Sequence, residues 1–219
     1  MSKRNAIVIA GGWDGHSPVE QSQLFVPFLR EAGFDVTVED SLETYADLDL
    51  MLAQDLVVQC WTMGEILVDE LRGLRAAVEH GTGLAGWHGG LLDSFRLATD
   101  YTQMLGAQFS AHPHDLVDHE ITITQPEHPI TRGLESFHLT SEQYWVLTDP
   151  AIDVLATTTI PVREGDPWHE GVTFPAAWTR NWGAGRIFAT TTGHTAADLS
   201  IPAVRTMIER GMLWAARTP

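Results

Sequence analysis

Residues 83–90, Gly-Leu-Ala-Gly-Trp-His-Gly-Gly, constrain the fold of this chain more than any other stretch. A short apolar run ends abruptly at Trp87, and a new apolar segment begins at Leu91. The pattern predicts a buried strand that passes through a tight turn directly into a helix. Glycines on both sides of His88 permit backbone angles and close approaches that a side chain would prevent. Hydrolases present a nucleophilic Ser or Cys on a turn of this kind, whereas this turn carries an imidazole.

Short apolar runs alternate with helical patterns along much of the chain. The runs suited to strands lie at 6–10, 34–39, 56–61, 83–87 and 186–191. After the third run, Leu67, Leu71, Leu74 and Val78 recur at helical spacing, and Gly81 is placed to end that helix. This alternation is typical of an α/β fold built on a doubly wound, mainly parallel sheet.

Two helices have recognisable starts. Ser17-Pro18-Val19-Glu20 combines a capping Ser, a first-turn Pro and a Glu that completes a capping box. The helix that it opens is expected to run to Gly33, with a kink or a shortened regular part at Pro27. Ser200 and Pro202 predict the start of a final helix in the same way.

The middle of the chain, residues 107–179, interrupts the alternation. It is rich in Pro, His and Thr, and its strand-like runs lie at 120–124, 154–158 and 172–178. These runs predict antiparallel additions beside the main sheet. No repeat, low-complexity tract or linker divides the sequence, so we expect one domain over residues 1–219.

Composition limits the function classes. The chain has 219 residues, of which 44% are hydrophobic, enough for a full core. No apolar run approaches the roughly 18 residues of a membrane span, and no signal peptide is evident, so we expect a cytoplasmic protein. A net charge of −16 argues against nucleic-acid or membrane partners. The sequence is compatible with a homo-oligomer. Cys60 is the only cysteine, which excludes an internal disulfide and a multi-Cys metal site.

The exits of the predicted strands carry an unusual set of side chains. Ligands bind beyond the carboxyl ends of the strands in open α/β sheets. In this chain those ends carry three tryptophans and three histidines, namely Trp13, His16, Trp61, Trp87, His88 and His194. Any one of these histidines could be structural, but together they indicate a shared crevice. Aromatic rings suit the faces of sugar rings, although Trp is also a common core residue.

Two sets of histidines are candidates for a divalent metal such as zinc. His112, His114 and His119 form a dense cluster, in which residues 112 and 114 would face the same way if the segment were extended. The alternative set is His16, His88 and His194. The sequence does not choose between them, and a His-rich loop without a metal is also common.

An ordered set of motifs links the chain to a known family. The set comprises Gly11-Gly12 with His16-Ser17, Gly86-Trp87-His88-Gly89-Gly90, His128-Pro129-Ile130 with Gly133-Leu134, Glu142 with Tyr144, and residues 183–188 with Gly193-His194. In that order they resemble the trehalose-utilisation, or ThuA-like, family. The resemblance implies a flavodoxin-like fold, similar to class I glutamine amidotransferases but without their catalytic cysteine. It also implies a link to the use of trehalose and related disaccharides. Members often carry an Asp-Glu pair where this chain has Ser141-Glu142.

These observations predict an enzyme that acts on a sugar or an oxidised keto-sugar. His88 is expected to be the general base or a ligand, and Glu142 its partner acid. His16 and His194 are expected to orient substrate or bind a metal. The sugar would also contact Trp13, Trp61, Trp87 and Tyr144. A non-catalytic sugar-sensing or scaffold module is the competing hypothesis. A cysteine amidotransferase is excluded, because Cys60 lies at a different strand exit from the His88 turn.

Overall fold

The computed structural model describes residues 4–218, which form a nine-stranded sheet, a separate two-stranded sheet and helices packed on the large sheet. The strands are β1 (Arg4–Gly12), β2 (Phe34–Glu39), β3 (Leu56–Thr62), β4 (Gly83–Trp87), β5 (Ala107–Ala111), β6 (Leu116–Ile123), β7 (Phe137–Glu142), β8 (Trp145–Thr148), β9 (Asp153–Ile160), β10 (Val172–Trp182) and β11 (Gly185–Thr190). The α-helices are α1 (Pro18–Gln23), α2 (Val26–Glu31), α3 (Leu48–Leu52), α4 (Val68–Glu79), α5 (Gly89–Leu92), α6 (Thr99–Leu105), α7 (Ala196–Leu199) and α8 (Pro202–Ala215). None of the helices in residues 4–218 is long and apolar enough to cross a membrane.

The large sheet has a parallel part and an antiparallel part. Its strand order is β2-β1-β3-β4-β11-β10-β9-β6-β7. Strands β2, β1, β3, β4 and β11 are mutually parallel, and the pairings from β11 through β10, β9 and β6 to β7 are antiparallel. The expected mainly parallel α/β sheet with antiparallel additions from the middle of the chain is therefore confirmed.

Side chains of the central strands alternate between two cores, one on each face of the sheet. In β1, Ala6 and Val8 belong to one core, and Ile7 and Ile9 belong to the other. This is the two-residue period of a strand that helices cover on both sides. It explains why the strand sequences are apolar throughout rather than alternately apolar and polar.

The two helix starts differ from the sequence expectation. The first helical stretch is divided into α1 and α2 near Pro27, as expected, but Ser17 makes no side-chain cap. Ser17 has φ 45° and its N–H donates to Asp14, because it closes the 3-10 turn that precedes the helix. An N-cap needs extended backbone, so Ser17 cannot serve as one. The final helix is preceded by Ile201, while the Ser200 hydroxyl donates back to Ala196.

Candidate functional site

His88 lies on a strained turn between β4 and α5. Its backbone has φ 47° and ψ −142°, a conformation that residues other than glycine rarely adopt. A Cβ on Gly89 would lie 2.6 Å from the His16 ring, and one on Gly90 would lie 2.9 Å from the Cα of Cys60. The two glycines therefore let the turn pack directly on the neighbouring strand exits. The turn has the geometry expected from the sequence, with an imidazole at its apex.

His16 and His194 reach the same place from two other strand exits. His16 ends the 3-10 turn after β1, and its Nδ1 lies 3.1 Å from Oγ1 of Thr62, the last residue of β3. His194 follows β11, and the Gln21 amide donates to its carbonyl oxygen at 2.8 Å. Because β1, β3, β4 and β11 are adjacent and parallel, their carboxyl ends lie along one edge of the sheet.

The three imidazoles form a nearly equilateral triangle, and Glu142 closes it. The ring centroids are 5.0 Å apart for His16 and His88, 5.1 Å for His16 and His194, and 5.2 Å for His88 and His194. Glu142 Oε2 lies 3.1 Å from His88 Nε2 and 3.5 Å from His194 Nδ1. One ligand atom from each of the four residues lies within 4.8 Å of the others, so this group could hold a metal ion.

The electrostatics of the group favour a charged Glu142 carboxylate beside neutral His16 and His194 rings. Burial would raise the pKa of Glu142, but the hydrogen bond with His88 and the neighbouring His88, His194 and His112 rings outweigh it and lower this pKa to about 2. Burial, followed by the proximity of His88 and His194, lowers the pKa of His16 to about 4. Burial, and then His88, also lowers the pKa of His194. At neutral pH the group therefore offers a charged oxygen and at least two unprotonated rings.

Aromatic rings surround the four side chains. Tyr144 is buried and stacks on His88, with the ring centroids 4.1 Å apart, and Phe109 packs on Tyr144 at 4.5 Å. Trp13 packs edge-on against His16 at 5.0 Å and is 49% exposed. Trp61 packs over the backbone of Gly11 and Gly64. Trp13 and Tyr144 therefore pack against members of the group, and their expected contact with a sugar stays a prediction.

Trp87 was expected to line the crevice, but it does not. Its ring is fully buried against Phe25, and its Nε1 donates to Gln21 at 2.8 Å. As the last residue of β4, Trp87 keeps the strand's alternation and points into the core. Only the turn at His88 redirects the chain toward the site, so Trp87 supports the site from below rather than facing a ligand.

The histidines expected as the other metal candidate face three different partners. His112 Nε2 lies 3.6 Å from Glu142 Oε1, at the margin of the four-residue group. His114 Nε2 contacts the Asp166 carboxylate at 3.0 Å, and His119 Nδ1 contacts the Val117 carbonyl at 3.0 Å. Residues 112–115 form a turn, with Asp115 at φ 54°, instead of the extended segment that would align two imidazoles. Within residues 4–218 these three histidines do not form a group close enough for one ion.

The sequence analysis did not identify several residues that support the four-residue group. Thr62, Gln21 and the Thr191 carbonyl each hold one member of the group. Thr62 ends a predicted strand and could have been included on that ground, but a Gln within a helix and a backbone carbonyl carry no sequence signal. Cys60 is buried beneath the His88 turn, and burial raises the pKa of its thiol to about 12. Such a thiol is unsuited to nucleophilic attack.

A cavity of about 410 Å³ lies at the same edge of the sheet. Residues 63–66 and 95–98 line it, and hydrogen bonds from Met63 and Gly64 to Asp93 and Ser94 join the two segments. The cavity begins one residue after Thr62, the partner of His16. Its size is within the range of small-molecule sites.

Comparison with known proteins identifies the family. The ThuA family model, described as trehalose utilisation, matches residues 5–215. The chain belongs to the ThuA family. Among solved structures, the chain is similar to a ThuA-like protein from Parabacteroides merdae ATCC 43184, with 17% identity, a TM-score of 0.77, and coverage of 100% of this chain and 92% of that one. A ThuA-like protein from Bacteroides uniformis ATCC 8492 has 16% identity, a TM-score of 0.76 and coverage of 97% and 91%.

A more distant neighbour shares the same fold. A cytoplasmic protein from Salmonella typhimurium LT2 has 14% identity, a TM-score of 0.65, and coverage of 98% of this chain and 100% of that one. A comparison with curated proteins gave no match. The fold and the ThuA membership expected from the sequence motifs are therefore confirmed, and at these identities the structural neighbours speak for the fold alone.

Proposed function

We propose that this ThuA-family protein is an enzyme of carbohydrate utilisation that binds a sugar or keto-sugar over His16, His88, Glu142 and His194. Trehalose and related disaccharides are the substrate class that the family description suggests. The observation that carries the proposal is the convergence of four chemically competent side chains from separate strand exits. Sheet packing alone does not require three imidazoles and a carboxylate within 4.8 Å of one another.

The surroundings of the group suit a sugar. The exposed Trp13 ring offers an apolar face with a polar edge, which matches the alternating C–H and hydroxyl surfaces of a pyranose. The cavity lined by residues 63–66 and 95–98 is large enough for a sugar ring, although none of the four site residues lines it. Both features support a ligand larger than an ion.

The chemistry proposed is polarisation and proton transfer at a sugar carbonyl or hydroxyl. His88 can take up a proton from the substrate, and the Glu142 carboxylate, 3.1 Å from its Nε2, stabilises the protonated ring. Alternatively, the four side chains would hold a cation that would polarise the substrate oxygen. Both mechanisms use His88 and Glu142.

A sugar panel tests this proposal. Trehalose, related disaccharides and their oxidised keto derivatives would be tested for binding by calorimetry and for turnover by NMR, with protein as purified. We expect one sugar class to bind and to be converted, and His88→Asn to lose turnover while His138→Asn, an exposed histidine on β7, keeps it. Binding without turnover would favour the sensing or scaffold hypothesis. Binding that survives in Glu142→Ala and His88→Ala would place the sugar elsewhere.

The remaining parts of the proposal concern the setting of the enzyme. We propose one ThuA domain over residues 1–219, in the cytoplasm, with a sugar as its main partner and no nucleic-acid or membrane partner. The net charge of −16 supports the exclusion of polyanionic partners. The Salmonella neighbour described as cytoplasmic supports the location.

A further inference from the structure

The four side chains at the strand exits provide a donor set that transition metals prefer. We propose that His16, His88, Glu142 and His194 bind one divalent transition-metal ion, with zinc, cobalt or nickel as suitable occupants. The inference deepens the proposed function, since the ion would lie where the sugar is proposed to react. It also stands on observations of its own, which concern protons, distances and supporting contacts.

The hydrogen-bonding pattern leaves a place for a cation. His88 Nδ1 lies 2.8 Å from the Thr191 carbonyl, which can only accept, so Nδ1 carries the proton. Nε2 then either shares a second proton with Glu142 Oε2, 3.1 Å away, or gives its lone pair to a cation in that place. His194 Nδ1 is buried without a hydrogen-bond partner and lies 3.5 Å from the same oxygen. Lone pairs that converge on one point are stabilised by a cation between them.

The distances fit a single ion. With metal–nitrogen bonds of about 2.0–2.1 Å, imidazole centroids lie about 3 Å from the metal, and tetrahedral angles separate them by about 5 Å. The three observed separations are 5.0, 5.1 and 5.2 Å. The same geometry places neighbouring ligand atoms about 3.3 Å apart. The two distances from Glu142 Oε2 to the imidazoles, 3.1 and 3.5 Å, bracket that value.

Outer contacts hold the ligands as they do in known metal sites. Metal-binding histidines usually engage their second ring nitrogen with a carbonyl, carboxylate or hydroxyl, which fixes the tautomer and the ring orientation. His88 has the Thr191 carbonyl in this place, and His16 has the Thr62 hydroxyl. His194 is fixed through its backbone by Gln21. The rings of His16 and His88 are therefore oriented by the fold before any ion arrives.

The ligand types select the class of ion. Three imidazoles and one carboxylate favour zinc and its transition-metal neighbours, whereas magnesium and calcium prefer oxygen ligands throughout. His16 and His88 are buried, but Glu142 and His194 have 14% and 20% of their side-chain surface exposed. That side of the ion faces solvent, so an oxygen from water or a sugar can join the coordination sphere.

Metal titration tests the inference without a sugar. The full-length protein would be stripped with a chelator and titrated with Zn²⁺ and Co²⁺, by calorimetry and by the visible absorption of bound Co²⁺. We expect one ion per chain and a rise in Tm of about 5–11 °C at a metal concentration 100 times Kd. His16→Ala and His194→Ala should each lower the metal affinity by at least about 100-fold. Loss of a residue that only supports a metal ligand typically costs about 10–100-fold, so a ligand should cost at least as much. His138→Ala should leave it unchanged, since His138 is an exposed histidine paired with Asp118.

The outcomes separate this inference from the proposed function. No binding of any of these ions, or binding that both His16→Ala and His194→Ala leave intact, would overturn the metal site. Glu142→Gln provides a second test in case the histidine variants misfold, because it keeps the side-chain volume and removes only the charge. It should weaken metal binding while its unfolding transition stays cooperative. A sugar that binds the metal-free protein would sustain the proposed function alone, and a metal-loaded protein without sugar binding would sustain the metal site alone.

Discussion

The backbone of His88 gives a prediction about stability that is independent of any ligand. With φ 47° and ψ −142°, this residue adopts a conformation that costs a non-glycine residue about 1–3 kcal/mol. His88→Ala and His88→Gly remove the same hydrogen bonds and the same ring stacking, but only glycine relieves the strain. Glycine elsewhere costs about 0.5–1 kcal/mol relative to alanine. The relief outweighs that cost, so His88→Gly should be more stable than His88→Ala by about 1 kcal/mol, or roughly 2–4 °C in Tm.

The matched control is His138, which lies exposed in β7 and is not among the residues with positive φ. There the order should be the usual one, with His138→Gly less stable than His138→Ala by about 0.5–1 kcal/mol. The stability difference between the Gly and Ala variants is measured at each site, and the value at His138 is subtracted from the value at His88. The subtraction removes the entropic cost of glycine, which is common to both sites, and leaves the strain at His88, about 1–3 kcal/mol. Urea unfolding of all four variants in the presence of a chelator measures it. If His88→Gly were less stable than His88→Ala by the same margin as at His138, the turn would not be strained and the reasoning would fail.

Three further predictions concern residues around the site and the ion pair of Asp149 with Arg180. The buried thiol of Cys60, with its pKa raised to about 12 by burial, should resist a thiol reagent at pH 8 until denaturant is added, and Cys60→Ala should leave metal binding intact. Gly89→Ala should weaken metal binding by about 10–100-fold, measured by calorimetry, because its Cβ would displace the His16 ring. Hydrogen bonds from Arg180 hold the pKa of Asp149 below its ordinary value, so this carboxylate stabilises the fold above about pH 4 and loses that effect as the pH falls through the lowered pKa. Asp149→Asn should therefore lower the Tm at pH 6 and flatten its decline toward pH 3.

The spacing of apolar residues and the topology of a parallel sheet explain why much of the fold could be predicted from the sequence. The run at 83–87 is apolar throughout because both faces of β4 are covered, and the observed strand has the same bounds. Once the runs are read as parallel strands, their exits must share an edge, and this alone brings His16, His88 and His194 to one region. Glu142 lies at the end of β7, an antiparallel strand, so only the family resemblance pointed to it.

What the sequence could not predict depends on the direction of single side chains. Trp87 and His88 are neighbours, yet one lies in the core and the other in the site, because the turn between them breaks the alternation of the strand. His112 and His114 were expected to face the same way, but the turn at Asp115 sends them to Glu142 and Asp166 respectively. A change in one backbone angle redirects each side chain, and neither composition nor spacing records such a change.

The origin of the four site residues in separate chain segments bears on how they work together. His16, His88, Glu142 and His194 follow or end four different strands, and each is fixed by contacts outside the group, or by the strand that carries it. Loss of one side chain therefore leaves the other three in place, which is why single variants should lose ligand affinity without losing the fold. The strain at His88 has the same meaning, since the surrounding sheet must hold that residue against its preferred backbone angles. Hydrolases present a nucleophile on a turn of this kind, whereas here the turn presents an imidazole. Its Nδ1 is held by the Thr191 carbonyl, and its Nε2 therefore faces Glu142. The site is thus built by the rigid edge of the sheet, and a bound ion or sugar would meet an arrangement that is already formed.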